Sequence, residues 1–198
     1  VIEVRELGSV SVDVAWGGMF YAIADARPLG FALTPDEGRD LVRVTEMIKA
    51  ASAEQLPVTH PESPEIGGIS IGQLYGPSPT PGVSRRNAVT VSTGAFDWNR
   101  PATWTGVLDR SPCGTGTCAA MACLHAKGEL ALGEPFVHES IIGTLFTGRI
   151  VEETTAGGLP AVVPTLAGQA WISGFAQYVI DPSDPLAEGF TVGDLWAG

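Results

Sequence analysis

The sequence predicts an α+β chain of many short, mostly antiparallel strands and two helices. Three observations carry that expectation. Short apolar or alternating segments recur along the chain between Gly-bearing turns, which is the pattern of strands rather than of long helices. Only two stretches have helical character, one after Thr34 and one after Cys113. The 198 residues include 25 Gly and 15 Pro, a content suited to many turns. A hydrophobic fraction of 44% excludes a disordered chain, and the length suits one domain or two small lobes.

Taken in order, residues 1–26 read as two or three strands. Ser11-Val-Asp-Val-Ala alternates polar and apolar, Gly17-Gly18 interrupts, and Met19-Phe-Tyr-Ala-Ile23 resumes. The glycine pair marks either a simple turn or a close approach of backbone to another element. Thr34-Pro35-Asp36-Glu37 is a helix start, with a capping threonine, Pro at the first position and Glu three residues after the cap. Asp36, Glu37 and Asp40 form a solvated first turn matched to the helix dipole. Leu41, Val44 and Ile48 give that helix one apolar face, ending near Ala53. Residues 60–64 read as loop, 66–75 as one ragged strand and 87–93 as a strong strand. Residues 96–105 carry Trp98 and Trp104 in a turn-like insertion that is either a cover for a site or an anchored surface loop. Beyond the second helix, residues 136–142, 145–153, 159–165 and 169–180 read as strands. Residues 183–198 read as a Pro/Gly tail, leaving 1–182 as the folded lobe.

The charge balance of −11 argues against nucleic acid and against an anionic membrane surface. No apolar run reaches membrane-spanning length and no signal peptide is visible. Cys113, Cys118 and Cys123 all lie within eleven residues, a poor disulfide framework, so a reducing, cytoplasmic setting is expected. At helical pitch a five-residue spacing turns each thiol by about 140° from the last. The three therefore share no face, and no zinc spacing appears. The chain begins with Val1, which fits a processed chain, a fragment or one half of something longer.

The chemistry concentrates in Asp109-Arg-Ser-Pro-Cys113-Gly-Thr-Gly-Thr117. A thiol stands at or just before the start of a helical run that stops at Gly128. Unpaired N–H groups and the positive dipole end favour a thiolate there and can hold a substrate carboxylate. Asp109, four residues upstream, could hold a substrate ammonium. Cys118 and Cys123 sit among Ala, Met and Leu and read as core. His125 and His138 read as structural. His60 is a loop residue with some claim to line a cleft, and Glu139 and Ser140 stand at a strand end within possible reach of the site. A Schiff-base cofactor has no lysine in a suitable setting.

The Asp109–Thr117 motif resembles the second catalytic motif of the proline racemase/hydroxyproline 2-epimerase family. The resemblance continues through Leu124-His-Ala-Lys-Gly-Glu-Leu130, Phe136-Val-His-Glu-Ser-Ile-Ile-Gly143, Phe146-Thr-Gly-Arg149 and Gly168-Gln-Ala-Trp-Ile172. Upstream, Val12-Asp-Val-Ala-Trp-Gly-Gly-Met-Phe-Tyr-Ala-Ile23 and His60-Pro-Glu62 also fit. The resemblance implies a diaminopimelate-epimerase-like lobe, with strands wrapped around a central helix that starts near Cys113. It also implies cofactor-independent inversion at the α-carbon of an imino acid by two cysteines. Cys113 would be one acid/base, Gly114 and Thr115 would donate N–H groups to the substrate carboxylate, and Asp109 would hold the ring nitrogen. No cofactor or metal is implied.

Two departures matter. The family's first cysteine motif, of Cys-Gly-His-Gly type, has no counterpart here, so the chain resembles the C-terminal part of a member. The other thiol would then come from a second chain or a missing half, with residues 183–198 packing toward that lobe. Ser84-Arg85-Arg86-Asn87 also replaces the family's His-x-Arg-Asn, which points to Arg85 and the Trp98/Trp104 insertion as contacts for the ring substituent and favours hydroxyproline over proline. Two alternatives stand beside the epimerase reading. One is the trans-3-hydroxyproline dehydratase branch, in which the Cys113 position is usually not cysteine. The other is a non-catalytic chain that binds an imino acid.

Overall fold

The computed structural model describes residues 1–189. Residues 1–26 form four strands rather than two or three: β1 (Ile2–Val4), β2 (Gly8–Val10), β3 (Val12–Trp16) and β4 (Phe20–Asp25). The extra strand arises because Glu6 takes a positive φ of 64° and folds β1 back on β2 as a separate hairpin. A 3₁₀ turn over Pro35–Glu37 leads into α1 (Gly38–Gln55), and the Glu37 carboxylate accepts the Thr34 N–H at 2.8 Å. The expected single strand over 66–75 is broken. Gly68, at φ +78°, donates its N–H to the Val58 carbonyl. That separates the small hairpin of β5 (Thr59–His60) and β6 (Ser63–Gly67) from β7 (Ile71–Gly76). There follow β8 (Arg85–Ser92), β9 (Gly106–Leu108), α2 (Gly114–Ala126), β10 (Phe136–Ser140), β11 (Leu145–Ala156) and β12 (Leu159–Ala167).

The main sheet runs β12-β11-β10-β8-β7-β4-β3 in hydrogen-bond order, with β9 also paired to β8. The β4–β7 and β8–β10 pairs are parallel and the others antiparallel. Helix α2 packs against β3 and β4 near one edge and against β11 and β12 at the other. One short helix can touch both edges only if the sheet curls around it, so the sheet is a half-barrel with α2 in its hollow. The mixed α+β fold with few helices agrees with the sequence expectation.

Strand alternation sorts the core into two sides. Tyr21, Ile23, Ile71 and Val89 cluster with Ala119 of α2. Ala24, Leu74 and Ala88 cluster instead with Leu41, Val44, Met47, Ile48 and Ala51 of α1, so α1 covers the convex face. Its buried positions recur at helical spacing, as the sequence pattern predicts. Glu46 is buried on that helix but pairs with Lys49 at 2.9 Å and with Ser92. Phe96, Trp98 and Trp104 also join the α1 side. Arg5 and Arg43 lie over the two indoles, and Trp98 Nε1 donates to Glu54 at 2.6 Å. The insertion is therefore an anchored loop and not a cover for Cys113.

Residues 169–180 do not form the expected strand. Their apolar alternation is real, but no strand of the described residues pairs with them, and Trp171, Phe175 and Tyr178 are 73%, 95% and 92% exposed. Of the expected tail, residues 190–198 lie outside the described residues. Among the described residues no helix is long and apolar enough to cross a membrane.

Two buried groups on β10 tie stability to pH. Burial pushes the His138 imidazole down from its ordinary 6.5 to about 3, and the nearby Arg85 charge acts the same way. Burial pushes the Glu139 carboxyl up, but Arg86, Ser78 and Thr80 outweigh it and hold the group at about 2. In both cases the unfolded chain binds a proton that the folded chain does not, so stability falls as pH falls. For His138 the window runs from 6.5 down to about 3, and for Glu139 from 4.5 down to about 2. Each contributes up to about 1.4 kcal/mol per pH unit within its window. Urea unfolding across pH 7 to 4 is expected to show this loss. His138→Gln is expected to flatten it above pH 4.5, and a variant that keeps the full slope would refute the assignment to His138.

Candidate active site

The Asp109–Cys113 loop is tied down at almost every residue. Asp109 N–H donates to the Val89 carbonyl at 2.9 Å. Asp109 Oδ1 accepts from the Ser111 N–H at 2.8 Å and the Ser111 hydroxyl at 3.0 Å. The Ser111 oxygen in turn accepts the Cys113 N–H at 3.1 Å. Asn87 Nδ2 on β8 donates to the Pro112 carbonyl at 2.8 Å, and the Thr144 hydroxyl donates to the Arg110 carbonyl at 2.9 Å. These bonds hold Cys113 at φ 63°, ψ 125°. That conformation strains an L-residue by about 1–3 kcal/mol.

Cys113 is the N-cap of α2, so the thiol sits where the sequence motif predicts. The first intrahelical bond runs from the Thr117 N–H to the Cys113 carbonyl at 2.9 Å. The N–H groups of Gly114, Thr115 and Gly116 therefore belong to the set a helix start leaves without helical acceptors. The Thr117 hydroxyl donates to the Cys113 carbonyl at 2.7 Å and meets His138 Nδ1 at 2.9 Å. With that hydroxyl proton committed to the carbonyl, the imidazole must donate from Nδ1. His138 is thus structural, bracing the helix start from β10.

Cys113 Sγ is half-buried beside two hydroxyls, Tyr21 at 3.2 Å and Thr115 at 3.7 Å. The sequence reading missed Tyr21. A signal was present: the β3–β4 alternation puts Tyr21 on the face of Ile23, next to a glycine pair already marked as a possible close approach. That approach is observed. A Cβ at Gly17 would collide with the Thr115 carbonyl and lie 2.6 Å from Ala119 N. Gly116 is equally confined, since its Cβ would lie 2.7 Å from Gln73 Oε1 and 3.3 Å from the Tyr21 ring.

The other candidates lie elsewhere. Cys118 and Cys123 line a groove of 760 Å³ between β3 and β12, together with Trp16, His60, Pro160 and Val162. Burial pushes both thiols up, Cys123 to about 12. His60 does line this groove, with its ring 4.8 Å from that of Trp16, but Cys113 is not among the lining residues. His125 bridges the Leu130 carbonyl and Glu153. Glu139 and Ser140 are buried in hydrogen bonds to Ser78, Thr80, Arg86 and Thr144. Arg85 stacks over Tyr75 at 4.4 Å and pairs with Glu129 beyond the C-terminal end of α2. Arg85 is thus engaged by Tyr75 and Glu129, and the tryptophan insertion by α1. Among the described residues, no group of three or more His, Cys, Asp or Glu is placed to hold a metal ion.

A family model described as Proline racemase matches residues 1–191. The proline racemase of Clostridioides difficile is 39% identical over 189 residues, covering 96% of this chain and 53% of that protein. The 4-hydroxyproline 2-epimerase of Streptosporangium roseum is 43% identical over 189 residues, with the same shares. Among solved structures, a probable proline racemase from Agrobacterium radiobacter with bound carbonate superposes with a TM-score of 0.77 at 34% identity, covering 100% of this chain and 54% of that one. A hydroxyproline epimerase from Agrobacterium vitis with bound trans-4-OH-L-proline gives 0.76 at 36%, covering 98% and 52%. The chain thus spans about half the length of the curated relatives it matches.

The brace behind the thiol can be tested directly. Thr117→Val keeps the side-chain shape but leaves the Cys113 carbonyl and His138 Nδ1 without their shared partner. The expected loss is about 1–3 kcal/mol of unfolding free energy by urea titration. An unchanged midpoint would show that this hydroxyl does not hold the helix start.

Proposed function

Because the chain belongs to the proline racemase family, we propose that it supplies one half of the active site for cofactor-independent inversion at the α-carbon of proline or 4-hydroxyproline. The observation that carries this reading is the position of Cys113 as the N-cap of α2, at the helix end whose first N–H groups have no helical acceptors, with its sulfur beside the Thr115 hydroxyl. An α-proton is only weakly acidic. Removing it becomes feasible when the charge that develops on the adjacent carboxylate meets fixed donors. In this reading the N–H groups of Gly114 and Thr115 hold the carboxylate, Asp109 receives the ring nitrogen, and the Cys113 thiolate takes or returns the proton.

Inversion needs a second acid/base on the opposite face of the substrate. Cys118 and Cys123 follow Cys113 on its own helix and line a groove that does not include Cys113, so neither is offered for that role. The second thiol is assigned to a complementing lobe carried on another chain or another segment. The exposed apolar residues of 169–180 support this, since Trp171, Phe175 and Tyr178 have the character of a buried strand without a sheet to join. We assign that segment to contact with the complementing lobe. The trans-4-OH-L-proline bound by one solved relative supports an imino acid as the substrate.

The test is α-proton exchange in D₂O, followed by NMR with L-proline and trans-4-hydroxy-L-proline, on the chain together with its complementing lobe. Washout with inversion is expected, and Cys113→Ser is expected to slow it by about 10²–10⁴-fold. Exchange at the original rate in that variant would remove Cys113 from the mechanism. Saturable binding without exchange would replace this reading with the non-catalytic binder, and loss of water from trans-3-hydroxy-L-proline would replace it with the dehydratase. Asp109→Asn is expected to weaken binding by roughly tenfold or more, because it removes a charged partner of the ring nitrogen. Unchanged kinetics would confine Asp109 to its turn with Ser111.

A further inference from the structure

We propose that Tyr21 and Thr115 form a reversible two-hydroxyl chain that supports the Cys113 sulfur in both of its protonation states. Tyr21 is then a positioning residue for the reaction. The inference rests on Cys113 acting as an acid/base group, and it assigns work to a residue that the motif itself does not contain.

The geometry makes Tyr21 the middle member. Its oxygen lies 3.2 Å from Cys113 Sγ and 2.6 Å from Thr115 Oγ1, whereas the threonine hydroxyl is 3.7 Å from the sulfur. Tyr21 is 1% exposed, so bulk water does not compete for its hydroxyl. A hydroxyl has one donor and two acceptor positions. Beside a thiolate, the Tyr21 O–H donates to the sulfur and the Thr115 O–H donates to the Tyr21 oxygen. Once the sulfur holds a proton, the S–H donates to the Tyr21 oxygen and the Tyr21 O–H turns to Thr115 Oγ1. Each hydroxyl keeps its own proton and only rotates. The proton that the sulfur gains comes from the α-carbon, and the proton it returns goes to carbon.

A fixed donor would favour the thiolate alone and hinder the return step. A pair that reverses serves both directions, which an inversion running either way requires. Burial pushes the Tyr21 phenol well above its ordinary 10, and the neighbouring sulfur adds to this, so Tyr21 remains a donor wherever the thiolate exists. The other titratable groups around the thiol are Asp109 in the preceding loop, Cys118 farther along α2, and His138, which acts through Thr117. None of them bridges the sulfur to a second hydroxyl.

The test is the pH dependence of iodoacetamide alkylation at Cys113 in the whole chain. Peptide mass spectrometry would count Cys118 and Cys123 separately, and thermal melting would confirm the fold of each variant. Because the bond donated to the charged thiolate is stronger than the one accepted from the neutral thiol, Tyr21→Phe is expected to raise the alkylation midpoint by about one pH unit. Thr115→Val is expected to raise it by less, and to add nothing in the Tyr21→Phe background. An unchanged or lowered midpoint in Tyr21→Phe would overturn the chain, as would a Thr115→Val shift that persists undiminished in that background. If Tyr21→Phe fails to fold, an unchanged midpoint in Thr115→Val alone overturns it. Alkylation needs no turnover. Absent α-proton exchange with these shifts intact would therefore sink the proposed function and not the chain, and normal exchange with flat alkylation would do the reverse.

Discussion

At Gly17 the turn between β3 and β4 lies so close to the first turn of α2 that a single added carbon would meet the Thr115 carbonyl and Ala119 N. The geometry around the thiol depends on this approach. It seats β4 against the helix start, which brings the Tyr21 hydroxyl to the sulfur. It is possible only because Gly17 and Gly18 carry no Cβ where they meet Thr115 and Ala119. The half-barrel closes around a helix of small residues at its head and larger ones, Met121 and Leu124, farther along.

The strained backbone of Cys113 is sustained by bonds from several elements at once. Ser111 holds its N–H, Thr117 its carbonyl, and Asn87 the carbonyl before it. At about 0.5–1.5 kcal/mol net for each bond, the set offsets a strain of about 1–3 kcal/mol. The anchors sit on β8, α2 and, through His138, on β10. The thiol is consequently positioned by the sheet as a whole. Loss of a proton-free His138 at low pH weakens the same scaffold that orients the sulfur.

The described residues place one thiol at a helix head, and they leave an alternating apolar segment, 169–180, without a sheet to join. Two-base inversion needs groups on both faces of a planar intermediate, and a helix start can occupy only one face. Under the proposed function, one complementing lobe would supply the second thiol and cover the unpaired apolar segment.

Local rules made the sequence legible where spacing alone decides structure. Thr34-Pro35-Asp36-Glu37 starts a helix because a cap and its partner lie three residues apart. The Asp109–Thr117 motif puts a thiol at a helix head because a Gly/Thr turn precedes an Ala-rich run. Gly17-Gly18 left a simple turn and a close approach both open. Errors arose where a residue's role depends on what lies across the sheet. Residues 169–180 have the alternation of a strand, yet alternation forms a strand only when an edge is available to pair with it. For Trp98 and Trp104 the sequence left a site cover and an anchored surface loop both open, and packing against α1 and two arginines selects the anchored loop. Arg85 pairs with Glu129 beyond the C-terminal end of α2, although its own strand β8 meets the loop at the helix head through Asn87 and Val89. By itself the sequence determined the family, the two helices and the place of the thiol. Only the tertiary structure decided that Tyr21, ninety-two positions away in sequence, is the hydroxyl that meets the sulfur. The curl of the sheet that joins them comes from packing between distant segments, and no local pattern encodes it.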